Sequence, residues 1–379
     1  MPSDDTVKAI SQSNSNTSPM LDLGPLSRRD AYRGIASDKL LMERIRGFLK
    51  KPHEEFGFNG GDSIKGVCES GTGSSLELNS LSLNPESVAR VVLENIVVGN
   101  NFGNVGFWDV DSSIDDEEED DGLHLYDPHH GVISGISIHQ HSFSKIFTSC
   151  YLGFIRLMDA EKEVFDLAHS SDDSIYSASQ RSDDVKCLYF SEGHGGLNIW
   201  DERIGKCPTQ WNLHEHRINS IDFNSENYKI MATSSSDGTA CVWDLRSINV
   251  DQPKTLMKVS HKRAVQSAYF SPSGSSHATT SMDNTVGIGT GVNFDHTSMI
   301  KHDNLSGFRA IWDRDDSHIF IGNMKRGVDV ISLTLEKTIF TLQSPHMSAV
   351  PRRFDAHPST VGMLAGATCL GQVYMWTLG

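Results

Sequence analysis

His214, Asp237 and a hydroxyl at Thr233 or Ser234 are the residue types of a hydrolytic relay, in which a base and an orienting acid activate a nucleophile. His261 and Asp283 repeat part of the set further along the chain. A relay that recurs in this way reads as structure. Buried polar groups must find partners, and a histidine, a hydroxyl, an acid and the indole of Trp243 satisfy one another in a chain. The other candidates for chemistry are weaker. HEH (214–216) and HQH (139–141) have the wrong spacing for a zinc pair on a helix, and GHGG (193–196) leads into no helix that would hold a phosphate. No P-loop, G-x-S-x-G or H-E-x-x-H occurs. The expectation is a binding protein rather than an enzyme, with no metal and no cofactor.

The elements that position these residues repeat. A turn falls at Gly103, Gly153, Gly196, Gly238, Asn284, Gly327 and Gly371, at spacings of 50, 43, 42, 46, 43 and 44. A period of ~40–45 residues with Trp-Asp endings marks a WD-repeat propeller with four strands per blade. The fourth unit shows the pattern most fully. Ile218, Ile221 and Phe223 form one strand, Ile230 and Ala232 begin the next, and Asp237-Gly238 turns into Ala240, Val242 and Trp243. The fifth unit keeps His261 and Asp283 but reads Gly287-Ile288 where Trp-Asp is expected. The fold expected is therefore all-β, a seven-bladed ring over 87–379, with the turns themselves spanning 96–379. Because the last unit ends near Trp376, SVARVVLEN (87–95) is expected to close the last blade. That would leave the first blade incomplete.

Residues 1–86 read differently. SQSNSNTSP and ESGTGSS are low-complexity, which predicts a mostly flexible, partly disordered extension. SDKLLMERIRGFLKK predicts a helix near 38–51, with Leu41, Ile45, Phe48 and Leu49 on one face and Arg44, Arg46, Lys50 and Lys51 around the rest. No apolar run approaches the ~20 residues of a membrane helix, so no membrane partner is expected. Six cysteines without a C-x-x-C pair read as small core residues of a reducing compartment.

Net charge is −16, which by itself argues against nucleic acid. Nine acids crowd into 109–121, however, and removing them leaves −7. A propeller places the loop before each first strand and the turn between second and third strands on one face. That face is expected to receive Lys262, Arg263, Lys301, His302, Lys325 and Arg326 from neighbouring units. A local basic patch suffices for phosphate contacts. Trp200-Asp201-Glu202-Arg203 and Trp243-Asp244-Leu245-Arg246 end on the opposite face.

HKRAVQSAYFSPSGS (261–275), FRAIWDRDDSHIFIGNMKRGVDV (308–330) and FDAHPSTVGMLAGATCLGQVYMW (354–376) resemble the damaged-DNA-binding WD-repeat family. That family includes the small subunit of the UV-damaged-DNA-binding complex and its nuclear WD-repeat relatives. GPLSRRDAY (24–32) and LLMERI (40–45) resemble the segment those relatives carry before the propeller. The resemblance implies a nuclear DNA-binding protein with a preference for damaged DNA, active in DNA metabolism or repair. It implies phosphate contacts on the face of Lys262, Arg263, Lys325 and Arg326. It also implies that the chain is a substrate receptor docked on a cullin-4 ubiquitin-ligase adaptor through Asp201, Arg203, Asp244 and Arg246, monomeric within its complexes and near chromatin proteins. A general interaction scaffold without a DNA role is the remaining alternative. HDNLSGF (302–308) is shorter than its counterpart in the relatives, a region that in the small subunit carries a hairpin wedged into the duplex at the lesion. The resemblance therefore implies little wedging here.

Overall fold

The computed structural model describes residues 49–50, 88–92, 95–109, 123–139, 145–159, 164–248, 253–302, 308–343, 349–356, 364–368 and 373–376. These residues form seven four-stranded antiparallel sheets, numbered here as blades 1 to 7 in chain order of their innermost strands. The innermost strands are Val88–Val92, Ile133–Ile138, Ile175–Arg181, Ile218–Phe223, Val265–Phe270, Ile311–Trp312 and Pro351–Ala356. Each packs against the next, and Val88–Val92 packs on Pro351–Ala356, which closes the ring. Closure leaves no sheet edge at the centre.

The core is a set of apolar layers between neighbouring blades. Tyr189 and Leu197 of blade 3 meet Ile218, Met231 and Trp243 of blade 4. Ala278 and Ile288 of blade 5 meet Trp312 and Ile319 of blade 6, and Phe320 and Val330 meet Phe354 and Trp376 of blade 7. Strands buried on both faces need apolar or small side chains throughout. The second strand of blade 4, Ile230–Ser235, is accordingly buried at every position. Each large apolar side chain so buried contributes about 1.5–3 kcal/mol.

Three expectations are corrected. Blade 1 is complete: Val88–Val92 pairs with Asn95–Gly99 as a hairpin and is its innermost strand. The last blade is closed instead by Leu49–Lys50, paired with Trp376 and Met375. A hairpin joined by two residues forms locally at small entropic cost, whereas the closing position requires only a short length of backbone. Leu49 and Lys50, read as the end of a helix, are thus strand. Residues 38–48, like the rest of the extension up to 87, lie outside the described residues.

The second correction concerns the turns. The left-handed residue is Gly103, Gly153, Gly195, Gly238, Asn284 or Arg326 in blades 1 to 6, one residue earlier than read in blades 3 and 6. The carbonyl of this residue accepts the backbone N–H of His129, Ser171, Leu213, His261 or His302 in blades 1 to 5. Each turn is thereby tied to the loop that enters the next blade. At Gly103 a Cβ would come within 1.9 Å of the His129 carbonyl oxygen, so the first turn admits only glycine.

The third lies in blade 5. The register pairs Met231 with Trp243 in blade 4 and His277 with Gly289 in blade 5. The missing tryptophan therefore corresponds to Gly289, not to Gly287-Ile288. The His277 ring fills the vacated space: a Cβ on Gly289 would lie 1.8 Å from its Cε1. Packed beside Phe270 and Phe294, His277 is pushed by burial down to about 4.

Candidate nucleic-acid interface

The residues that resemble a relay are assembled in blade 4. His214 Nδ1 lies 2.9 Å from Asp237 Oδ2, and His214 Nε2 lies 2.8 Å from Thr233 Oγ1. Trp243 Nε1 donates to the same hydroxyl at 2.8 Å. Burial opposes ionisation of Asp237, but hydrogen bonds from His214 and Thr239 outweigh it and hold the carboxyl well below the usual carboxylate range. Of the two candidate hydroxyls the chain uses Thr233, while Ser234 pairs with Ser220 at 2.7 Å. His261 repeats the arrangement with Thr279 and Thr285, each at 2.9 Å, and with Asp283 at 3.6 Å. Every ring nitrogen is engaged, and the hydroxyl is buried between imidazole and indole. Thr233 is fully enclosed, so no substrate reaches it.

His129 and Thr148 form a shorter version in blade 2, at 2.8 Å, and burial pushes that imidazole down to about 4. His302 belongs to the same series. It is buried, and its Nε2 lies 2.8 Å from Asp329 Oδ2. Burial disfavours the charged form of Asp329, yet hydrogen bonds from His302, Thr341 and Asn323 keep its carboxyl below the usual range. His302 was expected beside the phosphate-binding cations. The structure corrects this, because an enclosed imidazole already paired with a carboxylate presents no donor to a ligand. Its position after the last strand of blade 5, like His214 and His261 after theirs, is the signal that identifies it.

The other five basic residues lie on the surface. Lys262 and Arg263 follow His261 in the loop entering blade 5, and the Lys262 backbone N–H donates to Asp283 at 2.8 Å. Lys301 ends the outer strand of blade 5, and Lys325 and Arg326 occupy the turn of blade 6. All five side chains are exposed, and none pairs with a described carboxylate. Because each turn is bonded to the following entry loop, these positions share one face. The turn of blade 6 is unusual. Arg326 holds φ +61°, where blades 1 to 4 have glycine and blade 5 has asparagine. A left-handed residue with a Cβ costs roughly 1–2 kcal/mol.

Residues 110–122, which hold most of the acidic run, lie outside the described residues. The strands that flank them, Val105–Asp109 and Leu123–Tyr126, are the third and fourth of blade 1 and are joined at the opposite end of the blade. Arg203 and Arg246 occupy that same opposite end. Each guanidinium grips the aspartate two residues before it: Arg203 Nη2 to Asp201 Oδ2 at 2.6 Å, and Arg246 Nη2 to Asp244 Oδ2 at 2.7 Å. Hydrogen bonding to Arg203 and Arg246 lowers both carboxyls. The arginines are therefore fixed rather than free, but they remain 60% and 65% exposed.

Sequence reading did not single out Asp313, Asp315 and His318, whose ligand atoms lie within 4.8 Å of one another in the entry to the second strand of blade 6. Ser317 donates to Asp315 at 2.5 Å and also contacts His318, so this group folds a tight loop.

The WD domain, G-beta repeat model matches residues 205–244 and 253–288, the two units that carry the His214 and His261 chains. WD repeat-containing protein 76 of Xenopus laevis is 25% identical over 334 residues, 79% of this chain and 56% of that protein. DNA damage-binding protein CMR1 of Coccidioides immitis is 29% identical over 326 residues, 74% of this chain and 62% of the relative. Its Aspergillus clavatus counterpart is 27% identical over 79% of this chain and 66% of its own length. The chain is similar to these WD-repeat proteins, two of which are named DNA damage-binding proteins. It spans between about half and two thirds of the length of these relatives.

Proposed function

We propose that this chain binds DNA through the face carrying Lys262, Arg263, Lys301, Lys325 and Arg326, prefers damaged DNA, and works in the nucleus in DNA metabolism or repair. The relatives named DNA damage-binding proteins support the ligand. The observation that carries the site is Arg326. Backbone strain at an exposed position persists where the side chain is needed, and glycine, present at this position in four other blades, would relieve it. The surface term is sequence-independent, since phosphate contacts position a protein without reading bases.

Arg326→Gly separates function from fold. The variant is expected to gain about 1 kcal/mol of stability, because the left-handed backbone no longer carries a Cβ, while duplex affinity falls. Thermal melting and a duplex titration on the same preparations check both. A variant that binds DNA as the parent does removes Arg326 from the interface.

The opposite face supports a second reading that coexists with the first, a substrate receptor docked on a cullin-4 ligase adaptor. Arg203 and Arg246 are held in matching bidentate pairs at equivalent positions of adjacent blades, ready to share an acidic partner. Arg203→Ala/Arg246→Ala is expected to weaken co-purification with the adaptor at unchanged melting temperature. Undiminished association would count against docking through these residues. The chain is read as a binding protein throughout, since the relay-like clusters at His214 and His261 are consumed by the fold.

A further inference from the structure

Arg217 precedes the innermost strand of blade 4, on the same face as the basic loops. Its guanidinium carbon lies 5.2 Å from the centroid of the Tyr176 ring, and its Nε donates to Ser236 Oγ at 3.0 Å. The Tyr176 ring is in turn 5.5 Å from that of Tyr151, the planes inclined by 53°. Three successive blades contribute: Tyr151 from the turn of blade 2, Tyr176 from the inner strand of blade 3, Arg217 from the loop entering blade 4. The two tyrosines are half-buried and Arg217 is exposed. A long cation is thus held over an aromatic ring at two points, and its terminal nitrogens make no bond to a described residue.

Charge divides this face. The exposed cations of blades 5 and 6 stand on one side, whereas Asp172, Asp173 and Glu215 are exposed around the stack. Acids repel phosphate but leave the flat, uncharged faces of bases unaffected. Aromatic rings and guanidinium planes offer base-stacking surfaces, and stacking tolerates any sequence because every base has a π-face.

We propose that Tyr151, Tyr176 and Arg217 form a platform for unpaired bases of a DNA strand whose phosphates run over Lys262, Arg263, Lys325 and Arg326. The proposal rests on the DNA-binding reading above and adds a ligand state to it: a locally opened duplex is bound more tightly than a paired one. Opening the pairs beforehand removes the unstacking cost from binding.

The test uses the full chain with two labelled probes, a matched duplex and the same duplex containing a central mismatched bubble. The parent is expected to bind the bubble about tenfold more tightly. Tyr151→Leu/Tyr176→Leu/Arg217→Gln is expected to lose that ratio, binding both probes alike. Arg217→Gln alone, which leaves both rings packed, is expected to reduce the ratio and covers the case in which the triple variant fails to fold. Equal binding of both probes by the parent overturns the platform and leaves the DNA reading standing. A bubble preference that survives Arg217→Gln and the folded triple variant also overturns it. Failure of the parent to bind either probe overturns both.

Discussion

Lys262→Glu/Arg263→Glu/Lys325→Glu/Arg326→Glu is expected to abolish duplex binding at moderate salt and to leave the fold intact. All four side chains are exposed, and none is paired with a described carboxylate, so their removal leaves no buried partner unsatisfied. Surface changes of this kind usually cost within ±0.5 kcal/mol each. The effect on DNA is larger because each phosphate contact releases counterions from the duplex. Affinity falls with log salt at a slope of about 0.9 per contact, so neutralising four cations lowers the slope by about 3–4. Reversal adds repulsion on top of that loss. The measurement is a titration of intact and UV-irradiated duplex at several salt concentrations, with melting curves as the control for folding. Parent-like affinity and slope in the reversed variant would leave the basic face without a role in binding.

What could be read from the sequence followed from how local each signal is. The seven units were legible because each repeats the same short-range pattern of apolar alternation and turn, closed by Trp-Asp in three of them, and the ring follows from their number. The His214–Asp237–Trp243 chain was legible for the same reason, since its histidine and acid recur as His261 and Asp283. The closing strand was not. Leu49–Lys50 is recruited through backbone hydrogen bonds to Trp376 and Met375, over three hundred residues away, and two residues carry no periodicity. His302 was misplaced because Lys301 and His302 read together as a basic pair, while its acceptor, Asp329, lies on a third strand instead of in the turn that supplies Asp237 and Asp283. The strain at Arg326 is a property of φ and leaves no mark on composition. The Tyr151–Tyr176–Arg217 stack joins three blades and becomes visible only when the ring is closed.

Thr233→Val is expected to be the most destabilising conservative change in the propeller. The side chains are similar in shape, so the substitution removes one hydroxyl and creates little cavity. That hydroxyl lies 2.8 Å from both His214 Nε2 and Trp243 Nε1. With His214 Nδ1 donating to Asp237, Nε2 accepts from the Thr233 hydroxyl, whose oxygen accepts from the indole. Valine leaves the indole N–H and the imidazole nitrogen without partners in a region closed to water. Each orphaned group costs about 1–3 kcal/mol, so the pair costs roughly 2–6 kcal/mol. An unfolding entropy of about 2.1 cal/mol/K per residue converts this, for the roughly 240 described residues, into about 4–12 °C of melting temperature. Thr233→Ser keeps the hydroxyl and loses a methyl group, so it should recover most of the difference. Ser234→Ala breaks a single hydroxyl pair on the next residue and should cost only about 0.5–1.5 kcal/mol. Calorimetry on the three variants orders them. If Thr233→Val melts with the parent, the chain through His214 is not what holds blade 4 together, and its resemblance to a catalytic relay would need another explanation.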